Sequence, residues 1–134
     1  MTTHGAPAPL TRGGIVFRVR GAHYFLPAEV AVRVVPRPHI TRVPGAPPGL
    51  VGIALSEGTI LPVIELDMDL ATMIVCVHGG EPLGLVGAAD IVSGVFPASG
   101  ADGVVAGGHI ATALDLSEQY ERVHGVSWGA GWVG

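Results

Sequence analysis

The chain has 134 residues, 49% of them apolar and only 13% charged, with a net charge of −4, which gives one compact unit or two very small barrels sharing a core. So little charge predicts a bland surface of the kind that partners cover. Six of the seven basic residues, all arginine, lie at or before Arg42 and ten of the eleven acidic residues follow it; this polarity suits end-to-end protein contacts and, with aromatics at 5%, excludes the basic, aromatic-interleaved stripe of a nucleic-acid binder.

Residues 1–13 are rich in Thr, Ala, Pro and Gly and predict a disordered leader. Ile15-Val16-Phe17-Arg18-Val19-Arg20 alternates as a strand with Ile15, Phe17 and Val19 inward. Gly21-Ala22 turns it, and residues 23–26 return as the hairpin partner. Residues 28–32 suggest a short helical turn, weakened by β-branched side chains. Residues 33–35 extend, after which Pro36, Pro38, Pro44, Pro47 and Pro48 make the connection irregular. Residues 50–55 and 59–64 are apolar strands around a tight Ser56-Glu57-Gly58 turn. A further hairpin spans 72–77 and 83–86, bent at Gly79-Gly80. Residues 90–95 extend, 99–108 read as a glycine-rich loop, and 110–114 as a last strand. Residues 115–123 form a helix with Leu116, Tyr120 and Val123 on one face. A Gly- and Trp-containing tail covers 125–134. Many short strands with frequent turns predict an all-β barrel architecture.

The hairpin region also repeats. Residues 15–32 match 73–91 if one residue is inserted in the second copy: Val19 and Val77 end a strand, a glycine follows, Leu26 and Leu85 close the return strand, and Val32 and Ile91 mark equivalent positions. Two related half-barrels follow from such a duplication.

No constellation of side chains carries a recognisable chemistry. His4, His23, His39, His78, His109 and His124 have no compact ligand spacing and no cysteine cluster to join, so no metal is expected. Glu65, Asp67 and Asp69 alternate along an extended segment, which reads better as a solvated edge that discourages strand pairing than as a calcium site. Cys76, mid-strand among apolar residues, reads as a small buried thiol with no neighbouring base. It has no disulfide partner, which fits a reducing cytosol. Ser127 lacks a nucleophile elbow, and Gly79-Gly80 and Gly107-Gly108 lack the lysine of a phosphate loop. No secretion signal or spanning helix is visible, so a cytoplasmic protein without direct membrane insertion, catalytic site or cofactor is expected.

The segment Val43-Pro44-Gly45-Ala46-Pro47-Pro48-Gly49-Leu50-Val51-Gly52, followed by Gly58-Thr59-Ile60-Leu61-Pro62-Val63-Ile64-Glu65-Leu66, resembles the signature of the CheW family of chemotaxis coupling proteins. The two hairpins and Ala113-Leu114-Asp115-Leu116 also fit, so the resemblance spans about residues 14–124. It implies an all-β fold of two small interlocked five-stranded β-barrels with a short C-terminal helix. It implies a non-catalytic adaptor that joins a CheA-like histidine kinase to the cytoplasmic tip of a methyl-accepting chemoreceptor, with other CheW-like proteins as further partners. By the same resemblance, Gly52, Leu55 and Gly58 line an inter-barrel surface, faced by Arg33 and Val34 and by Gly84 of the second barrel. The chain departs from the family at the turn, where Asn-Leu-Arg-Gly becomes Leu55-Ser56-Glu57-Gly58, and at Arg33, where the family places an acid. If Arg33 stands opposite Glu57, the two form a pair with exchanged signs that governs partner choice more than stability. The connection around residues 67–70 and the stretch after Gly103 are also short. The readings set against this one are a divergent adaptor that links a different partner, and a small barrel enzyme or ligand carrier using the inter-barrel cleft.

Overall fold

The computed structural model describes residues 10–68 and 71–124, without the side chains of Tyr120 and residues 122–124. Residues 1–9 and the tail with Trp128 and Trp132 lie outside the described residues. In chain order the strands are β1 (Thr11–Val19), β2 (Ala22–Pro27), β3 (Ala31–Pro36), β4 (Ile40–Thr41), β5 (Leu50–Ser56), β6 (Thr59–Glu65), β7 (Thr72–His78), β8 (Glu81–Val86), β9 (Ala89–Ser99), β10 (Gly103–Ala106) and β11 (His109–Ala113), followed by helix α1 (Leu116–His124).

Local turn chemistry sets the hairpins. Strands β1–β2, β5–β6, β7–β8 and β10–β11 turn on Arg20-Gly21, Glu57-Gly58, Gly79-Gly80 and Gly107-Gly108, and every one of these residues has positive φ. That is the type I′ turn, whose twist matches twisted strands and whose second position glycine occupies without a Cβ clash.

β1, β2, β11, β10 and β9 close into a five-stranded barrel, and the remaining strands form a sheet in the order β3-β7-β8-β6-β5-β4. The two exchange strands. β3 leaves the first hairpin to pair with β7, and β9 leaves the β7–β8 hairpin to pair with β1. Each crossing strand has a register shift where it joins the other sheet, opposite Val16–Arg18 and opposite Val75–Cys76; such bulges bend and twist a strand. The second strand of each hairpin then takes a parallel neighbour, β11 on β2 and β6 on β8. These pairings repeat the internal echo in space and correct its register. Ile15 faces Leu26 and Ile74 faces Leu85, so the hairpins match without an insertion and His78, not Val77, is the counterpart of Val19. Strands apolar on both faces give no phase to a period-2 pattern, and only the turn fixes it.

Burial explains that composition. Ile15, Phe17 and Leu26 meet Ile64, Ile74, Cys76, Leu83, Leu85 and Leu116 in a joint core. On the other face of the same strands, Val16 and Phe25 fill the barrel with Val104 and Ala111, while Met73, Val75 and Val86 fill the second sheet with Leu61 and Val63. Doubly buried strands read as continuous apolar runs, which is why Val16 is buried beside the expected Ile15 and Phe17. Asp115 caps α1: its Oδ1 accepts the Glu118 N–H at 3.1 Å, satisfying one of the free amides of the first turn.

One of the two expected five-stranded barrels is closed; the other half is a six-stranded sheet whose edges, β3 and β4, do not pair with each other. The cause is local. In the barrel, the eleven residues of β9 pair with β1 and, at their far end, with β10. The corresponding segment of the second sheet is interrupted. β3 stops at Pro36, Pro38 follows, and the chain resumes as β4, which pairs with β5. Proline lacks an amide hydrogen and fixes φ, so a ladder does not run through it.

Three smaller expectations also change. β10 occupies part of the expected 99–108 loop. β1 begins at Thr11, inside the expected leader, because Arg12 and Gly13 pair with Phe96 and Val95 of β9. Residues 28–30 form a turn, and Val32 belongs to β3. Because the joint core serves both sheets, Leu85→Ala is expected to lower unfolding free energy by about 2–5 kcal/mol. The exposed change Val95→Thr should stay within about 0.5 kcal/mol. Denaturant unfolding of the two variants measures both.

Candidate functional site

Residues assigned to partner contact from sequence separate into four places. The first is the seam between β3 and the β5–β6 turn. Arg33 Nη2 donates to Ser56 Oγ at 3.0 Å, and Arg33 Nε lies 3.4 Å from Glu57 Oε2. Nε is buried without an aligned hydrogen bond, so its link to Glu57 is an ion pair by distance. The Arg33 side chain is 30% exposed and that of Glu57 73%; pairs of this kind contribute about 0–1 kcal/mol. The Arg33–Glu57 pair therefore exists, joining β3 to the β5–β6 turn. Gly58 completes the turn.

Leu55 belongs to the outer face of the same hairpin. Ala54 packs inward and Ser56 meets Arg33, while Leu55 and its cross-strand partner Ile60 point outward, 64% and 66% exposed. They border a shallow apolar hollow with Ile53, Thr41 and His39. Sequence reasoning missed the matching feature on the barrel. Val105 and Ile110 pair across β10–β11, 37% and 66% exposed, at the same distance from a type I′ turn as Leu55 and Ile60. The signal was present in Gly107-Gly108 between apolar residues, and reading 99–108 as a loop hid it.

Val34 lies elsewhere. It is 38% exposed and lines an open groove between the two sheets with Thr72 of β7 and Ala89, Asp90 and Ile91 of β9. Asp90 has a φ of 52° and is held by Arg18 Nη2 at 2.8 Å. The expected single inter-barrel surface is thus divided between this groove and the hairpin tip.

Gly52 and Gly84 are buried and touch no outer surface. A Cβ at Gly52 would run into the Thr41 carbonyl, and one at Gly84 would stand 2.5 Å from Met73 Sδ and 2.9 Å from Leu61 Cδ1. Both shape the second sheet from within.

This two-sheet arrangement has a known counterpart. A model of the CheW-like domain matches residues 13–96. The chain belongs to the CheW-like domain family. That membership places it among the scaffolding and coupling domains of chemotaxis-type signal transduction. Among solved structures, the crystal structure of the scaffolding protein TtCheW from Thermoanaerobacter tengcongensis matches with a TM-score of 0.64 and 20% identity, over 87% of this chain and 90% of that one. No curated protein sequence matches.

Within this CheW-like fold the chemistry-bearing side chains are dispersed. Among the described residues no three His, Cys, Asp or Glu side chains converge as metal ligands. His23 and His109 stack with ring centroids 4.2 Å apart, His39 borders the apolar hollow, and His78 Nε2 lies 3.1 Å from Ser117 Oγ. His4, Asp69 and Ser127 lie outside the described residues. The solvated-edge reading of Glu65 is corrected, because β6 is a central strand between β8 and β5 and Glu65 pairs with Val86. Asp67 Oδ1 instead accepts the Met68 N–H at 2.7 Å and lies 3.7 Å from Arg20 Nε. No helix among the described residues is long and apolar enough to cross a membrane.

Cys76 is fully buried in the joint core, and burial pushes its thiol from 9.0 up to about 12, since an apolar surrounding disfavours the thiolate. Unfolded chains lose this proton above about pH 9 while folded ones keep it, so the thiol's contribution to stability is complete below pH 9 and disappears as pH rises toward 12. We expect the wild-type unfolding free energy to fall across that range more steeply than that of Cys76→Ala, measured in parallel denaturant titrations. Thiol alkylation at pH 8 should follow global unfolding.

Proposed function

We propose that this chain is a non-catalytic cytoplasmic adaptor of bacterial chemosensory signalling, coupling the cytoplasmic tip of methyl-accepting chemoreceptors to a CheA-like histidine kinase. The observation that carries the reading is the presence of separate apolar surfaces on one small fold. Leu55–Ile60 and Val105–Ile110 are matching outward pairs on the hairpin tips of the two sheets, and the Val34 groove lies between the sheets. An adaptor needs at least two places to bind, and exposed apolar patches on soluble domains mark such places. Hairpin tips suit a partner of similar fold, the kinase regulatory domain or another CheW-like protein. The groove suits a receptor helix. Its lining of Val34, Ala89 and Ile91, with few converging polar groups, favours a protein ligand over a reacting small molecule.

A second reading within this class rests on Glu57. The Arg33–Glu57 pair keeps the local geometry with the exposed charge reversed, so the chain serves a receptor, or another partner, whose facing residue is complementary to an acid.

The test is calorimetric binding of the purified chain to the kinase regulatory domain and to a receptor tip fragment from the same genome. Leu55→Glu and Ile110→Glu should weaken kinase-domain binding at least about tenfold, and Val34→Glu should weaken receptor binding by a similar factor, each with unchanged circular dichroism. Absence of binding to both partners overturns the reading. At low salt, Glu57→Arg is expected to change the order of preference among receptor fragments of differing charge while the fold is kept. Equal affinities for wild type and variant across all fragments would remove Glu57 from partner choice.

A further inference from the structure

We propose that His23 and His109, stacked at one end of the barrel, form a two-histidine site for a late first-row transition ion of the zinc, nickel or copper class. The inference does not depend on which partners dock. Far apart in the chain, the two residues show no ligand spacing, and it is strand pairing that joins them. β2 and β11 run parallel, with Tyr24 level with Thr112 and Phe25 with Ala113. His23 lies two residues before Phe25 and His109 two before Ala111, and Phe25 and Ala111 both fill the barrel. Alternate side chains share a face of a strand, so both imidazoles stand on the inner face, at the end beside the Arg20-Gly21 and Gly107-Gly108 turns. Their ring centroids are 4.2 Å apart and their planes 11° from parallel, with His109 exposed and His23 half-buried.

Two observations turn a packed pair of rings into a site. Neither ring has a hydrogen-bond or ion-pair partner among the described residues, whereas His78 meets Ser117; the ring nitrogens of the pair are free to ligate. The spacing also suits an ion. A nitrogen-to-zinc bond of about 2.0–2.1 Å puts each ring centre about 3.2 Å from the metal. Centres 4.2 Å apart then subtend about 80°, and the tetrahedral angle needs them only about 1 Å farther apart. Turning the two rings out of the stack supplies that movement and brings one lone pair of each onto a common point. Arg18, cross-strand from His23, would oppose a cation, but its guanidinium is held by Asp90 at 2.8 Å, which offsets the charge. Imidazole donors select zinc, nickel or copper over calcium and magnesium. With two protein ligands the ion keeps water in its remaining positions. Both ligands sit on laddered strands, so the second imidazole meets a bound ion at high effective concentration.

Zinc chloride titrated calorimetrically into the full chain tests the site, with the histidine ring signals followed by NMR. The titration is run at about pH 7.5, since ligation needs the unprotonated ring. Wild type is expected to show a saturable site whose filling shifts the His23 and His109 rings together. His23→Ala and His109→Ala should each weaken it at least about tenfold, and the double variant should be little worse than either single one, because the pair acts as a chelate. His23→Phe keeps an aromatic ring in the stack without a donor nitrogen, and it should lose zinc as fully as His23→Ala. His78→Ala should bind as wild type does. Unchanged zinc affinity in His23→Phe, an equal loss in His78→Ala, or no saturable binding by wild type would overturn the site. Circular dichroism checks that each variant folds; should His109→Ala fail to fold, His23→Phe decides the question.

Discussion

Ile15, Phe17 and Leu26 of one hairpin and Ile74, Cys76 and Leu85 of the other meet in a joint core that neither hairpin completes alone. Burial of apolar surface at roughly 25 cal/mol per Å² makes such a core the main stabilising contribution of a domain this small. The strand exchange follows from it. A hairpin that is buried on both faces needs covering on two sides, and sending β3 and β9 into opposite sheets gives each hairpin a neighbour from the other half. The paired positions also share the volume unequally, with Phe17 standing opposite in kind to Cys76. The small side chain of that pair is a fully buried thiol, whose reactivity burial suppresses.

Two halves with one topology do not have one mechanical character. The barrel is closed through the backbone of β9 and β10, while in the second sheet Pro36 and Pro38 interrupt the corresponding strand, which resumes as β4 on β5 and is backed by Val35 in the sheet's apolar core. The glycines of that second sheet serve the same end. Gly52 lets β5 lie against the Thr41 carbonyl, and Gly84 leaves room for Met73 and Leu61, so the thin wall is packed tightly where it is paired.

The surfaces inherit this arrangement. Outward pairs at Leu55–Ile60 and Val105–Ile110 occupy corresponding places beside corresponding turns, because the pleat that sends Ala54 and Val104 inward sends their neighbours outward. In this chain Arg33 and Glu57 pair beside the β5–β6 turn, with the acid the more exposed of the two.

Much of this was legible in the residues themselves. Four short apolar segment pairs around Arg20-Gly21, Glu57-Gly58, Gly79-Gly80 and Gly107-Gly108 specify tight hairpins, since positive φ at both turn positions is a local demand that the sequence either meets or does not. The second and third are legible as turns in place, the first is shifted by one residue from the Gly21-Ala22 expectation, and the fourth is hidden because Val104 and Val105 make too short a run to announce a strand. The proline-rich linker and the segments after it identified the family for the same local reason. What needed the tertiary structure was every relation between distant segments. Arg12 and Gly13 become strand only because β9 lies beside them, Gly84 turns out to be interior because Met73 and Leu61 close over it, and the expected binding wall divides because Val34 and Arg33 leave β3 on opposite faces. Sequence thus determined the hairpins, their turns and the family. Pairing between strands far apart in the chain decided which half closed into a barrel, because closure depends on an unbroken ladder and two prolines interrupt it on one side.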